Sequence, residues 1–203
     1  MDACILTNTI YQNEPAYVGI SDRAKREYCS RHGMDYIHLH SNPHPESHPC
    51  WSKPSLLAWA LMQYEWVIWM DADAMPTNYG IDIVEYLQGV KEPVVMAQDI
   101  NGFNAGVIGL RRDAREWLLA IDERRHLPQY TIRFREQQAM ADSINAGEIA
   151  CHIPPLDLGF NSYMPWLYNR TVDKNVFKRG VSWCLHLPAV NDDSRRGIME
   201  DMF

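Results

Sequence analysis

The sequence predicts an α/β fold in a single domain, with a mostly parallel central sheet flanked by helices. Three observations carry this. The chain opens strand, loop, helix, strand, the beginning of a right-handed crossover between parallel strands. A continuous apolar strand without polar alternation, Trp66 to Met70, stands further along, as expected of a strand buried on both faces. Finally, 203 residues that are 46% hydrophobic and 22% charged suffice for one substantial core and exclude disordered and fibrous classes.

In order, Ala3 to Thr7 is an apolar run closed by polar Asn8 and Thr9, the pattern of a buried first strand ending in a loop. Charges recur in helical rhythm from Ser21 to His32, with Ser21 or Asp22 as N-cap and Gly33 as the stop. Met34 to Leu39 is the second strand. His40 to Pro49, built of Pro, His, Ser and Asn, is a surface loop. Ser52 caps a helix with Pro54 near its first turn and Leu56, Leu57, Ala60, Leu61 and Tyr64 as its core stripe. After the Trp66 strand come a helix (Ile81 to Leu87), strands at Pro93 to Ala97 and Ala105 to Leu110, and helices at Arg112 to Arg125 and Glu136 to Asn145. A strand at Glu148 to Ile153 and a late one at Gly180 to Leu187 complete the set. Seven Trp and ten Tyr exceed the needs of an aliphatic core; Trp59, Trp66 and Trp69 are assigned to the core, and Tyr11, Tyr163 and Trp166 to ligand contact.

With 19 basic against 26 acidic side chains the net charge is −7, which argues against nucleic acid or an anionic membrane as partner. No apolar stretch approaches the roughly 20 residues of a membrane span, and the first ten residues lack a signal-peptide pattern. Five cysteines without C-x-x-C spacing point to a reducing compartment, so the expectation is a soluble, cytoplasmic chain, either a bacterial or viral enzyme or one domain of a longer polypeptide. Asn169-Arg170-Thr171 is a formal glycosylation sequon.

The strongest chemical signal is Asp71-Ala-Asp73 at the end of the Trp66 strand. Two carboxylates at the carboxyl edge of a parallel sheet stand where ligands bind in open α/β folds, and their oxygens suit Mg²⁺ or Mn²⁺. The same pair could simply cap a turn. A phosphatase of the haloacid dehalogenase type also uses a strand ending in Asp-x-Asp, but near its N-terminus and followed by Thr or Val where this chain has Met75. His38, His40, His44, His48 and Cys50 match no standard zinc spacing and read as parts of a loop.

Six stretches in order resemble nucleotide-sugar glycosyltransferases of the GT-A (Rossmann-like) fold, over most of the chain. They are Arg23 to His40, Trp51-Ser-Lys53, Glu65 to Asp73, Gly102-Phe-Asn104-Ala-Gly106-Val, Glu136-Gln137-Gln138-Ala139 and Gly180 to His186. The likeness is to the family of plant xyloglucan xylosyltransferases and fungal galactosyl and mannosyl transferases, and more distantly to glycogenin-like enzymes.

This resemblance implies a metal-dependent, retaining glycosyltransferase that moves a sugar from a UDP-sugar donor to a glycan or glycoprotein acceptor. Asp71, Asp73 and His186 would hold Mn²⁺ (or Mg²⁺), with Asp71 sharing the metal or holding the ribose. Thr7, Asn8, Thr9 and Tyr11 would meet the nucleotide, with Lys53 and Arg195 as cations for its diphosphate. Leu187-Pro188-Ala189 departs from the family's Gly-containing turn and leaves that cation open. Asp99, Asn101, Asn104 and Gln137 would face the donor sugar. Gln137, a neutral amide without nucleophilic character, would stabilise an oxocarbenium-like transition state beside the anomeric carbon. Asp157, Asn161, Tyr163 and Trp166 would contact the acceptor. The competing reading from another class is a sugar-nucleotide-binding module without transfer, separable by turnover.

Overall fold

The computed structural model describes residues 2–99, 101–132, 134–166 and 175–203; the Asn169 sequon lies outside them. In chain order the elements are β1 (Ala3–Asn8), α1 (Ala16–His32), β2 (Asp35–Leu39), α2 (Ser52–Ala60), β3 (Trp66–Met70), β4 (Ala74–Pro76), α3 (Ile83–Gln88), β5 (Val94–Asp99) and β6 (Gly102–Arg111). There follow α4 (Arg115–Glu123), α5 (Arg135–Asn145), β7 (Cys151–His152), β8 (Ser162–Tyr163), β9 (Cys184–His186) and α6 (Asp192–Met202).

The central sheet runs β2-β1-β3-β6-β5-β7. β1 pairs in parallel with both β2 and β3, and β5 in parallel with β7, while β6 opposes both its neighbours. That one reversed strand matters for the site. Because β6 runs against β3, its first residues lie beside the last residues of β3: Met70 pairs with Val107, and the Asp71 amide donates to the Gly106 carbonyl at 2.8 Å. A second sheet, β4-β9-β8, sits at the same edge, with Ala74 opposite His186 on one side and Tyr163 opposite it on the other.

One core lies on the α2, α4 and α5 side of the sheet, and a second lies under α1 and α3. Every residue of β3 is buried, as its sequence pattern requires. Four expectations are corrected. Helix α1 begins five positions before Ser21; packing of Tyr17, Val18 and Ile20 outweighs the roughly 0.5–1 kcal/mol cost of Gly19 inside a helix. Ser21 caps nothing, since its buried hydroxyl donates to the Ala74 carbonyl at 2.8 Å. Trp59 lies on the outer face of α2 and is exposed, whereas Trp51 and Trp183 join Trp66 and Trp69 inside. The strand expected over Glu148 to Ile153 shrinks to two residues. Among the described residues no helix is long and apolar enough to cross a membrane, and all five cysteines are free.

Candidate active site

The turn after β3 carries both acids. Ala74 N–H closes it on the Asp71 carbonyl at 3.0 Å, and α1 cups it from below: Lys25 Nζ donates to the Asp71 carbonyl at 2.8 Å, one helical turn on from Ser21, which holds Ala74. Lys25 is fully buried, and burial pushes its ammonium down to about 8 against the pull of Cys184 and of Asp71 and Asp73. The sequence reading missed Lys25. Its signal was a Ser and a Lys at i and i+4 on the same face as Tyr17, Ala24 and Tyr28.

Asp71, Asp73 and His186 each present a ligand atom, all within 4.8 Å of one another. A chain of hydrogen bonds sets the state of His186. Gly106 N–H donates to Asn104 Oδ1 at 2.8 Å, which fixes that atom as oxygen, and Asn104 Nδ2 then donates to the Asp99 carboxylate at 3.0 Å. Asn161 Nδ2 donates to the same Asn104 oxygen at 2.9 Å, so Asn161 turns its own oxygen to His186 Nδ1, 2.9 Å away. Nδ1 therefore carries the proton, and Nε2 offers a lone pair toward Asp73 Oδ1 at 3.4 Å. Two acceptors facing each other at that distance call for a cation between them, a proton on Nε2 in the metal-free chain or a metal ion. Two carboxylates and a neutral imidazole oriented by a backing amide fit a divalent ion such as Mn²⁺.

Gly106 makes this packing possible. A Cβ on it would lie 2.0 Å from His186 Cε1 and 2.6 Å from each ring nitrogen, so the imidazole lies flat on the β6 backbone.

Two protein cations balance the acids. Arg195 on α6 stacks over Tyr17 and reaches Asp73 Oδ2 at 3.1 Å. Burial raises the Asp73 carboxyl, but in the metal-free chain a proton on His186 Nε2, whose hydrogen bond and charge add to those of Arg195, outweighs it and holds the group at about 2. Lys53 is buried between Asp71 Oδ1 (3.1 Å), Glu136 Oε1 (3.5 Å) and the Ala105 carbonyl (2.8 Å). Burial works against its charge, and the two carboxylates more than compensate, raising its pKa. Trp69 Nε1 donates to the same Asp71 oxygen at 2.6 Å, leaving Oδ2 as the atom Asp71 can offer a ligand.

Asp71 lies on the wall between two cavities. One, of about 370 Å³, is lined by Asn8, Thr9, Tyr11, Lys53, Trp69 and Glu136 among others. The other, of about 430 Å³, is lined by Asp73, Asp99, Asn101, Asn104, Gln137 and His186, with Phe134 and Ala189 on its rim. Both rim residues hold a left-handed backbone, φ 58°, which costs a non-glycine residue of order 1–3 kcal/mol. Glu136 and its neighbour Gln137 thus serve different cavities.

Several placements differ from the sequence reading. Thr7 is buried, donating to the Met70 carbonyl at 2.9 Å, and lines neither cavity. Arg195 guards Asp73 from the α6 side and is absent from both linings. Asn161 and Tyr163, expected on the acceptor side, are sealed: Asn161 orients His186, and the Tyr163 ring packs against it. Asp157 sits exposed on a 3₁₀ turn, and Trp166 is exposed too; neither lines either cavity. The Gln137 oxygen accepts the Ala105 N–H at 2.9 Å, so the amide turns its NH₂ the other way. A donor suits hydroxyls and anions better than the developing positive charge first assigned to it.

Known proteins share part of this sequence and its fold. Residues 5–89 match the galactosyl transferase GMA12/MNN10 family. An uncharacterized alpha-1,2-galactosyltransferase of Schizosaccharomyces pombe is 24% identical over 186 residues, 69% of this chain and 50% of that protein. Galactomannan galactosyltransferase 1 of Cyamopsis tetragonoloba is 30% identical over 98 residues, 43% of this chain and 22% of that one. The chain thus spans half or less of the length of these relatives. Among solved structures, a glycosyltransferase involved in glycosylation of the major capsid of PBCV-1 superposes with a TM-score of 0.80 at 18% identity, covering 99% of this chain and 100% of that one. The galactosyltransferase LgtC gives 0.58 at 11% identity, covering 100% and 96%. Mouse xyloside xylosyltransferase 1 gives 0.54 at 12%, covering 93% and 97%. The chain has the GT-A glycosyltransferase fold, and in residues 5–89 it carries the sequence likeness of the galactosyl transferase GMA12/MNN10 family.

Proposed function

We propose that the chain is a metal-dependent, retaining glycosyltransferase that moves a sugar from a UDP-sugar to a glycan or glycoprotein acceptor. The observation that carries this reading is the convergence of Asp71, Asp73 and His186 at the junction of two cavities, with His186 held as a lone-pair donor by Asn161. When bound, a Mn²⁺ or Mg²⁺ ion would neutralise the diphosphate of the leaving nucleotide. Asn8, Thr9 and Tyr11 would line the nucleoside side, where the half-exposed Tyr11 ring can stack on a base.

On the other side, Asp99 and Asn101 would bind sugar hydroxyls. Asn104 anchors that wall, because its amide is already committed to Asp99, Gly106 and Asn161. Gln137 would offer its NH₂ to the donor, fixing the sugar's orientation. Retention is taken from the family likeness, and the residues available fit a front-face route to it. Among the described residues lining the sugar cavity the carboxylates are Asp71, Asp73 and Asp99. The first two form the metal set, and Asp99 accepts from Asn101 and Asn104. With no carboxylate left as nucleophile, the acceptor would attack on the face the nucleotide leaves.

The test is turnover. With Mn²⁺ present, UDP should be released from one of a panel of UDP-sugars, and Asp73→Asn should abolish release while the chain stays folded. Binding of UDP-sugars without release or transfer, under every acceptor and metal tried, would overturn the enzyme reading.

A further inference from the structure

A second cluster of ligand atoms lies at the carboxyl end of β2, apart from Asp73 and His186. His38 near the end of β2 and His40 just past it stand two apart with their rings 4.5 Å from each other, and the loop after β1 brings Glu14 to them; the three ligand atoms lie within 4.8 Å of one another. They meet at one hydroxyl. Thr9 Oγ1 is 2.9 Å from His38 Nε2, 2.9 Å from His40 Nδ1 and 3.1 Å from Glu14 Oε2.

Counting protons shows what this centre lacks. Behind His38, Asp22 Oδ1 lies 2.9 Å from Nδ1, and a carboxylate only accepts, so Nδ1 carries the proton and Nε2 presents a lone pair to Thr9. Glu14 is also an acceptor. Thr9 has a single proton, so even with His40 donating its N–H to Thr9, two acceptors compete for that one hydrogen. Lone pairs are in surplus there, as they are between His186 and Asp73. The carboxylate behind His38 stands where an orienting partner stands behind most metal-ligating imidazoles.

We infer that His38, His40 and Glu14 form a zinc-class metal site, with Asp22 orienting His38 and Thr9 or water completing the ligands. Two imidazoles and one carboxylate are borderline donors that favour Zn²⁺ over the hard ions suited to carboxylate-rich sites. The sequence could not show this. Glu14 lies far upstream of the histidines, and His44, which seemed part of the same run, turns instead to Ser55 and Asp122 at 2.8 and 3.0 Å. Bound metal would tie the Ile10 to Glu14 loop, and with it Tyr11, to the end of β2, stiffening one wall of the nucleoside-side cavity. The inference does not depend on the proposed activity.

The test is zinc stoichiometry by calorimetry on the full chain, stripped with chelator. His40 is largely exposed, so His40→Ala leaves the fold intact. In an Asp73→Ala background, which removes the other site, one Zn²⁺ should bind and raise the Tm. Adding His40→Ala should abolish both effects, and Asp22→Asn should weaken binding about 10- to 100-fold. Co²⁺ should give visible absorption in the Asp73→Ala chain and lose it with His40→Ala. No zinc bound in the Asp73→Ala chain, or the same binding with and without His40, would overturn the site.

Discussion

Gly106 and His186 touch in a way that any side chain at position 106 would forbid: the imidazole occupies the space that side chain would fill, with Cε1 2.0 Å from its Cβ position. Gly106→Ala must therefore push His186 out of line with Asp73. Overpacking of this kind costs about 1–3 kcal/mol, which a folded chain can survive. The expected result is a folded variant, by circular dichroism, with Mn²⁺-dependent transfer lowered at least about 100-fold, the scale set by a misplaced catalytic group.

The hydrogen-bond chain from Asp99 to His186 makes a spectroscopic prediction. In the wild-type chain ¹⁵N-histidine NMR should find the His186 proton on Nδ1. Asn161→Leu, similar in size but without the amide oxygen, should remove that preference and weaken Mn²⁺ binding about 10- to 100-fold. Unchanged tautomer and unchanged affinity would show that the amide does not set the ring.

Lys53 tests the balance of charge beneath the site. Lys53→Met leaves Glu136 buried without its cation, and breaking a buried pair in this way costs about 3–5 kcal/mol. Urea unfolding should show that loss, and the double variant with Glu136→Gln should recover part of it. Equal stability of the single and double variants would mean that Glu136 finds another partner.

Asp73 should leave a signature in acid. Its folded pKa of about 2 lies below the ordinary 3.8, so the native chain binds fewer protons than the unfolded one between those values. The stabilisation, roughly 2 kcal/mol, is complete above the unfolded value and is lost as pH falls through the folded one. In chelator, the urea midpoint of the wild-type chain should fall more steeply between about pH 6 and pH 2 than that of Asp73→Asn. Parallel declines would contradict the shift.

The sheet and the acid pair could be read from the sequence because β3 is uniformly apolar and ends abruptly in charge. Burial on both faces leaves no other pattern, and the polar residues that follow must lie at the sheet edge. The direction of β6 could not be read, since an antiparallel strand in the core has the same composition as a parallel one. Yet that direction is what brings Asn104 and Gly106 to Asp71. An amide beside aromatics suits sugars equally well, so Asn161 reads from sequence as an acceptor contact; only its burial distinguishes a residue that orients His186. Lys25 was hidden among the charges of α1, where one buried lysine looks like its solvated neighbours.

The pairing of Ala74 with His186 joins an early turn to a late strand. As the chain emerges from a ribosome, β1 to β3 and both acids are made first, while Gln137, Asn161 and His186 follow much later. A growing chain therefore carries its acids long before it can assemble the site around them. The three candidate ligands come together in one step, when β9 slots between β4 and β8.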